Sequence, residues 1–267
     1  MLNLARDAIR QKLIIPYYQP KVNLRTGKLA GFEALLRWRH ASRGMQAPAT
    51  IAEAFGDVEL ASQIGDRMQE LGIADMRSWL DQGLQFHHIA INTSGAEFRK
   101  GDFAEKLLAR LERSGVPPEL VEVEITEKTA FLGKNSDHVV QALEVLRQHR
   151  VRVALDDFGT GFSSLSHLKD LPVDVLKIDR SFVHDIAGTP DADDAAIVLA
   201  VINLGRSLKI EVIAEGIENE SQAAFLRANG CDTGQGFLFG EAVPAPLVPA
   251  LIEHGGPGEN HGSSIAA

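Results

Sequence analysis

The chain has 267 residues, 45% of them hydrophobic, and a formal net charge of −9 at pH 7. That apolar content can bury a large core, as one barrel-sized domain or two smaller ones. The acidic balance argues against a binder of polymeric nucleic acid, which needs a basic stripe to displace counterions, but allows a small phosphate ligand where metal ions bring the positive charge.

Cys231 is the only cysteine, which excludes an intramolecular disulfide and a thiolate zinc cluster. The nine histidines show no metal-binding spacing, and His87 and His88 should point to opposite faces of a strand. No apolar run approaches the roughly twenty residues of a membrane span. Met1 to Lys12 reads as an amphipathic helix with both charge signs, not as a signal peptide, so a reducing, cytoplasmic setting is expected.

In chain order, the runs Ile15 to Pro20 and Leu29 to Trp38 are strand-like, joined by a link from Asn23 to Lys28. That link is too short for a crossover, so the two strands should be antiparallel. Strands and helices then alternate. A helical pattern over Ile51 to Gln82 precedes strand His88 to Thr93, and helix Phe103 to Ser114 precedes strand Leu120 to Thr126. Helix Asp137 to His149 precedes strand Val151 to Asp156, and the segment Ser163 to Lys169 precedes strand Val173 to Ile178. Helix Ala192 to Leu208 leads to strand Glu211 to Ala214, helix Ser221 to Asn229 to strand Thr233 to Phe239, and a last helix covers about Pro246 to Glu253. Eight strands over this length fit a closed barrel or an open doubly wound sheet. Polar residues at the C-terminal ends of nearly every strand, and no G-x-G-x-x-G after the first, favour the barrel. The expectation is an α/β fold: a modified (βα)8 TIM-like barrel with an antiparallel first strand over residues 1–254, then a disordered Gly/Ser-rich tail over 255–267.

The polar residues carry the chemistry. Glu33, Leu35 and Arg37 share one strand face, as do Glu122 and Glu124. Glu33 with Arg37 also fits an ion pair on a solvated edge. Asp156-Asp157 precedes Phe158-Gly159, and two such carboxylates can converge where glycines let the chain turn; the alternative is a turn that caps a helix. Lys177 and Asp179 flank Ile178, Glu215 and Glu218 flank a glycine turn, and Asn92 and Gln235 supply neutral polar groups. Acidic groups are rarely buried unless paired or metal-bound. Oxygen donors without thiol or imidazole select hard cations, so two divalent ions, Mg²⁺ or Mn²⁺, are expected, roughly 3.5–4 Å apart, with Ca²⁺ able to bind. Such a site suits phosphoester hydrolysis by an activated water.

Eight motifs then occur in order: Tyr18-Gln19-Pro20, Phe32-Glu33-Ala34-Leu35-Leu36-Arg37-Trp38, Asn92-Thr93-Ser94, Glu124-Ile125-Thr126-Glu127, Asp156-Asp157-Phe158-Gly159-Thr160-Gly161, Leu176-Lys177-Ile178-Asp179, Ala214-Glu215-Gly216-Ile217-Glu218 and Gln235-Gly236-Phe237. Over residues 3 to 254 the chain resembles the EAL domain, the bacterial phosphodiesterase that opens cyclic di-GMP to linear pGpG. The resemblance implies that Glu33, Asn92, Glu124 and Asp156 bind a first metal, and Asp156, Asp157 and Glu215 a second. It implies that Lys177 positions or activates the attacking water, and that Gln19, Leu35, Arg37 and Asp179 meet the substrate. Glu127 would anchor the loop 157–164, which in this family also shapes a homodimer interface, while Glu218 and Gln235 support the metal shell and water. After Phe239 the family usually reads small, basic, proline; Gly240-Glu241-Ala242 departs from that, which implies a weaker substrate contact there. The other class the resemblance admits is a catalytically weak or inactive EAL-type cyclic di-GMP receptor acting through protein partners. A sensory or regulatory domain elsewhere in a longer signalling protein is also expected.

Overall fold

A computed structural model describes residues 2–130, 136–159, 168, 171–186 and 192–256. Strands β1 (Ile14–Asn23) and β2 (Leu29–His40) pair antiparallel across a tight turn. In that turn Asn23 Oδ1 accepts from Thr26 N at 2.9 Å, and Gly27 takes φ 70°. A short strand, β3 (Gly44–Gln46), folds back on the end of β2. From β2 onward, β4 (His88–Thr93), β5 (Val121–Thr126), β6 (Arg152–Phe158), β7 (Val175–Ile178), β8 (Glu211–Ala214) and β9 (Thr233–Gln235) each pair parallel with the strand before. β9 pairs antiparallel with β1, which closes the ring, and β10 (Val243–Pro244) pairs antiparallel with Tyr17 and Tyr18 of β1. This is the closed eight-stranded barrel with a reversed first strand that the sequence predicts.

The described helices are α1 (Leu2–Arg10), α2 (Val58–Asp81), α3 (Gly95–Phe98), α4 (Phe103–Ser114), α5 (Glu127–Ala130), α6 (Ser136–Gln148), α7 (Arg180–His184), α8 (Ala192–Leu208), α9 (Glu220–Ala228) and α10 (Val248–Glu253). The main core lies between these helices and the outward faces of the strands. Leu107 and Leu111 on α4 pack there with Ile89, Ile91, Val121 and Val123. Each such side chain contributes about 1.5–3 kcal/mol through burial. Tyr18 faces the same layer, edge-on to Trp79, its hydroxyl donating to Asp75 at 2.6 Å. A second cluster joins Ala5 and Ala8 of α1 to Leu36 and Trp38 of β2 and to Ile51, Ile64 and Met68.

Inside the barrel the filling differs. Branched apolar side chains fill most barrels of this type; here Ala154, Val175 and Ile213 form one small cluster, and fully buried Lys21 and Glu122 sit inside the ring as charged groups.

Several boundaries depart from the sequence reading. The helical pattern over Ile51 to Gln82 breaks at Asp57: a 3₁₀ stretch covers Pro48–Gly56, and the Asp57 side chain caps α2 by accepting from Glu59 N and Leu60 N. The short helices α3, α5 and α7 have too few residues to show a period. The strand that carries Lys177 starts at Val175, not Val173, and the segment 163–169 lies outside the described residues except for Leu168. Residues 257–267 of the expected tail also lie outside them.

The last strand stops at Gln235, four residues early, because the chain turns at Gly236 onto Ile217. Gly236 has φ 157°, and a Cβ there would overlap the backbone N, C and O of Ile217. Gly236→Ala is therefore expected to lower stability by more than about 1 kcal/mol. A melting temperature equal to that of the parent protein would contradict this account of the turn.

Candidate active site

Strand alternation sends Gln19 and Lys21 of β1, Glu33, Leu35 and Arg37 of β2, Asn92 of β4, Glu122 and Glu124 of β5, Asp156 of β6, Lys177 of β7 and Gln235 of β9 to the inner side. Glu215 follows the end of β8, its N–H donating to Ile178 O at 3.1 Å. Because β2 and β4 to β9 run parallel, the later residues of each rise to one mouth.

Lys177 occupies the centre and is fully buried. Its Nζ lies 2.6 Å from Glu215 Oε1, 2.7 Å from Glu124 Oε2, 3.3 Å from Asp156 Oδ1 and 3.6 Å from Glu33 Oε2. Glu33 is held from two further sides: Asn92 Nδ2 donates to Oε1 and Gln235 Nε2 to Oε2, both at 2.7 Å. Gln235 also donates to Gln19 Oε1 at 3.0 Å, and Gln19 Nε2 donates to the Gly240 carbonyl at 3.1 Å. The departing loop at Gly240-Glu241 is thus tied to the site through its backbone, whatever its side chains are.

The two aspartates converge by a device the sequence does not display. Ala154 and Leu155 pair with Val175 and Leu176, but Phe158 pairs with Ile178, so β6 carries an extra residue at Asp156-Asp157. This bulge lets neighbouring side chains both turn toward the mouth. Asp157 itself takes the left-handed conformation, φ 56°, and its N–H donates to Asp156 Oδ1 at 2.9 Å.

Below this layer, Lys21 Nζ lies 2.7 Å from Glu124 Oε1 and 2.8 Å from Glu122 Oε1. Arg152 Nε approaches Glu122 Oε2 at 3.2 Å and its Nη2 meets Glu211 at 2.6 Å. Six carboxylates, those of Glu33, Glu122, Glu124, Asp156, Asp157 and Glu215, thus face two buried ammonium groups and one arginine. The imbalance shows in their proton affinities. Burial and the charges of Glu33 and Asp156 push Glu124 up to about 8, against the pull of both lysines. Burial, with Asp156 and Glu33, raises Glu215 to about 7, and burial beside Asp156 and Asp179 raises Asp157 to about 6. Glu33 is also buried, yet Lys177 and Lys21 hold it down at about 2. Among the described residues no three Asp, Glu, His or Cys side chains stand as a ready-made metal cage; the Lys177 ammonium stands among the carboxylates. The donor set, all carboxylate and amide oxygen with surplus negative charge, nevertheless fits hard divalent cations.

Most of the expected site residues come together here, and a few do not. Leu35 and Arg37 are half-buried beside the mouth. Arg37 makes no ion pair with Glu33 among the described residues; its Nη1 donates to Leu36 O at 2.9 Å and its guanidinium lies 5.9 Å over the Tyr17 ring. Asp179 caps α7, accepting from Ser181 N at 2.9 Å, and its carboxyl shares a hydrogen bond with Asp157. Glu127 is buried at the start of α5. Glu218 is exposed, and its N–H donates to Gln222 Oε1 at 2.7 Å. Neighbouring Asn219 caps α9. Lys21 is the participant that motif reading overlooks, although its place two residues after Gln19 on one strand face already sends it inward.

The EAL domain family matches residues 3–242. The chain belongs to the EAL domain family. It is 39% identical over 252 residues to the bifunctional diguanylate cyclase/cyclic di-GMP phosphodiesterase MucR of Pseudomonas aeruginosa, a match covering 94% of this chain and 36% of MucR. It is 36% identical over 250 residues to the cyclic di-GMP phosphodiesterase NbdA of the same organism, covering 92% of the chain and 31% of NbdA. A solved structure of the PaMucR phosphodiesterase in complex with c-di-GMP is similar with a TM-score of 0.86 and 39% identity, covering 92% of this EAL domain and 98% of that chain. The EAL enzyme Bd1971, solved with cAMP and cyclic di-GMP bound, reaches 0.86 at 33% identity, covering 94% of this chain and 67% of that one. The EAL domain here spans 29–39% of the length of the curated relatives it matches. No described helix is long and apolar enough to cross a membrane.

Proposed function

We propose that this EAL domain hydrolyses cyclic di-GMP to linear pGpG with the help of two divalent cations, Mg²⁺ or Mn²⁺. The observation that carries this reading is the cluster at the mouth: five carboxylates and Asn92 gathered around a fully buried lysine. Relatives named as cyclic di-GMP phosphodiesterases, at 36% and 39% identity, support the substrate.

Glu33, Asn92, Glu124 and Asp156 would hold one cation, and Asp156, Asp157 and Glu215 the other. Such ions neutralise phosphate charge and make a bound water acidic near neutral pH. The chain's own groups do the rest. Arg37 takes a substrate phosphate, and Gln19, Leu35 and Asp179 line the approach. Lys177 keeps the carboxylates gathered and orients the attacking water. That water adds its oxygen to phosphorus, one phosphodiester P–O bond breaks, and the proton passes to the departing ribose oxygen. Gln235 steadies Glu33, Glu218 supports the shell from the rim, and Glu127 takes the role of anchor for the loop 157–164, of which residues 160–164 lie outside the described residues. A homodimer within a longer cytoplasmic signalling protein completes the reading.

Incubating the purified protein with cyclic di-GMP and Mg²⁺ or Mn²⁺ is expected to yield linear pGpG on chromatography, and chelation is expected to stop it. Bound but intact cyclic di-GMP under those conditions would replace the enzyme by a receptor.

A further inference from the structure

We propose that Lys21 is a positioning residue that fixes Glu124 from beneath and so leaves a single carboxylate oxygen of Glu124 facing the mouth. The inference rests on the reading of Glu124 as a cation ligand. Glu124 is clamped at both oxygens by different ammonium groups, Lys21 on Oε1 and Lys177 on Oε2, each at 2.7 Å. A carboxylate free to rotate about its last bond exchanges its oxygens; one pinned from below does not. Lys21 reaches this place because β1 runs against the other strands. A step of two residues from Gln19 descends into the barrel, while the step from Glu122 to Glu124 ascends, so one lysine meets both acids.

The arrangement is costly unless it serves the site. Apolar residues in place of a buried ion pair are often neutral or stabilising, and the interior already accepts Val175 and Ile213. Here the charges continue downward from Lys21 to Glu122, Arg152 and Glu211. Lys21, Glu122 and Glu124 have side chains 0% exposed. Lys21 therefore touches no substrate and acts through Glu124. Partners of metal ligands that orient them are worth about 10–100-fold in metal affinity.

The test is Mn²⁺ binding to the full chain, followed by electron paramagnetic resonance of free Mn²⁺ and by calorimetry. Lys21→Met/Glu122→Gln removes both charges together, and Lys21→Gln keeps one donor on the carboxylate. The double variant is expected to bind Mn²⁺ about 10–100-fold more weakly than the parent, with the single variant between them. In both, kcat falls while KM for cyclic di-GMP holds, and circular dichroism matches the parent. Parent-level Mn²⁺ affinity in both variants would overturn the role. So would an equal loss in Glu122→Gln alone, which leaves Lys21 on Glu124. If the double variant does not fold, Lys21→Gln decides by the same criterion. A parent protein that binds no Mn²⁺ overturns the cation reading itself and this inference with it, an outcome distinct from a parent that binds and variants that match it.

Discussion

Lys177→Met lowers turnover by about 10²–10³-fold or more, the loss seen when one preorganised charge at a reaction centre is removed, worth about 2.7–4 kcal/mol. The geometry explains why methionine cannot substitute. It reproduces the length of the side chain but leaves Glu33, Glu124, Asp156 and Glu215 without the cation they share. Burial opposes the charge on Lys177, yet the carboxylates of Glu124, Glu215, Glu33 and Asp156 hold its proton affinity well above the ordinary lysine value. In the variant the acids respond by binding protons. Glu124 and Glu215 already titrate near 8 and 7, above the ordinary glutamate value of 4.5. Their native state therefore holds more protons than the unfolded chain across that interval, so their contribution to stability is present at lower pH and lost as pH rises through those values. Chelator-treated Lys177→Met should melt at steadily lower temperature from about pH 6 to pH 8, more steeply than the parent. Turnover within tenfold of the parent would remove Lys177 from the mechanism; a flat melting profile would show that the carboxylates were not crowded.

Glu33→Ala is expected to cost as much, about 10³-fold in turnover, for a different reason. Glu33 is the meeting point of donors from two strands far from it in the chain, Asn92 on β4 and Gln235 on β9, each at 2.7 Å. Alanine takes away one oxygen donor of the cluster and also releases both amides, and through Gln235 it loosens Gln19. Glu33→Gln separates the two effects, because it keeps the shape and one carbonyl acceptor while removing the charge. If the charge dominates, glutamine is as damaging as alanine. If anchoring dominates, glutamine recovers a large part of the activity. Product formation at the parent rate in both variants would exclude Glu33 from the chemistry.

Much of this site was legible in the sequence because strand geometry is regular. A period of two fixes the inward face of β2 once Glu33 and Arg37 are seen together, and the same rule places Glu124 and Lys177. The short link between β1 and β2 forces the reversal that closes the barrel. What could not be read depends on partners far along the chain. The convergence of Asp156 and Asp157 arises from an extra residue against β7 and from a left-handed aspartate, where glycine would be the natural guess. The early end of β9 depends on contact between Gly236 and Ile217, nineteen positions apart in the chain (about one barrel unit). Lys21 carries no motif signal in the sequence because a lone lysine in an apolar strand ordinarily reaches for water; the facing pair Glu122 and Glu124 gives it a reason to stay inside.

The reversed first strand also decides how the molecule can be held. Since β1 begins at the mouth, α1 packs there against Leu36 and Trp38 near the end of β2, with Leu13 O accepting from Arg39 N at 3.0 Å. At the opposite pole, Gly255 O accepts from Leu29 N at 2.9 Å, beneath the start of β2. The two ends of the described chain thus leave the barrel from opposite poles. A surface tether placed after Gly256 would present the catalytic opening outward, whereas one placed before Leu2 would turn its rim toward the support.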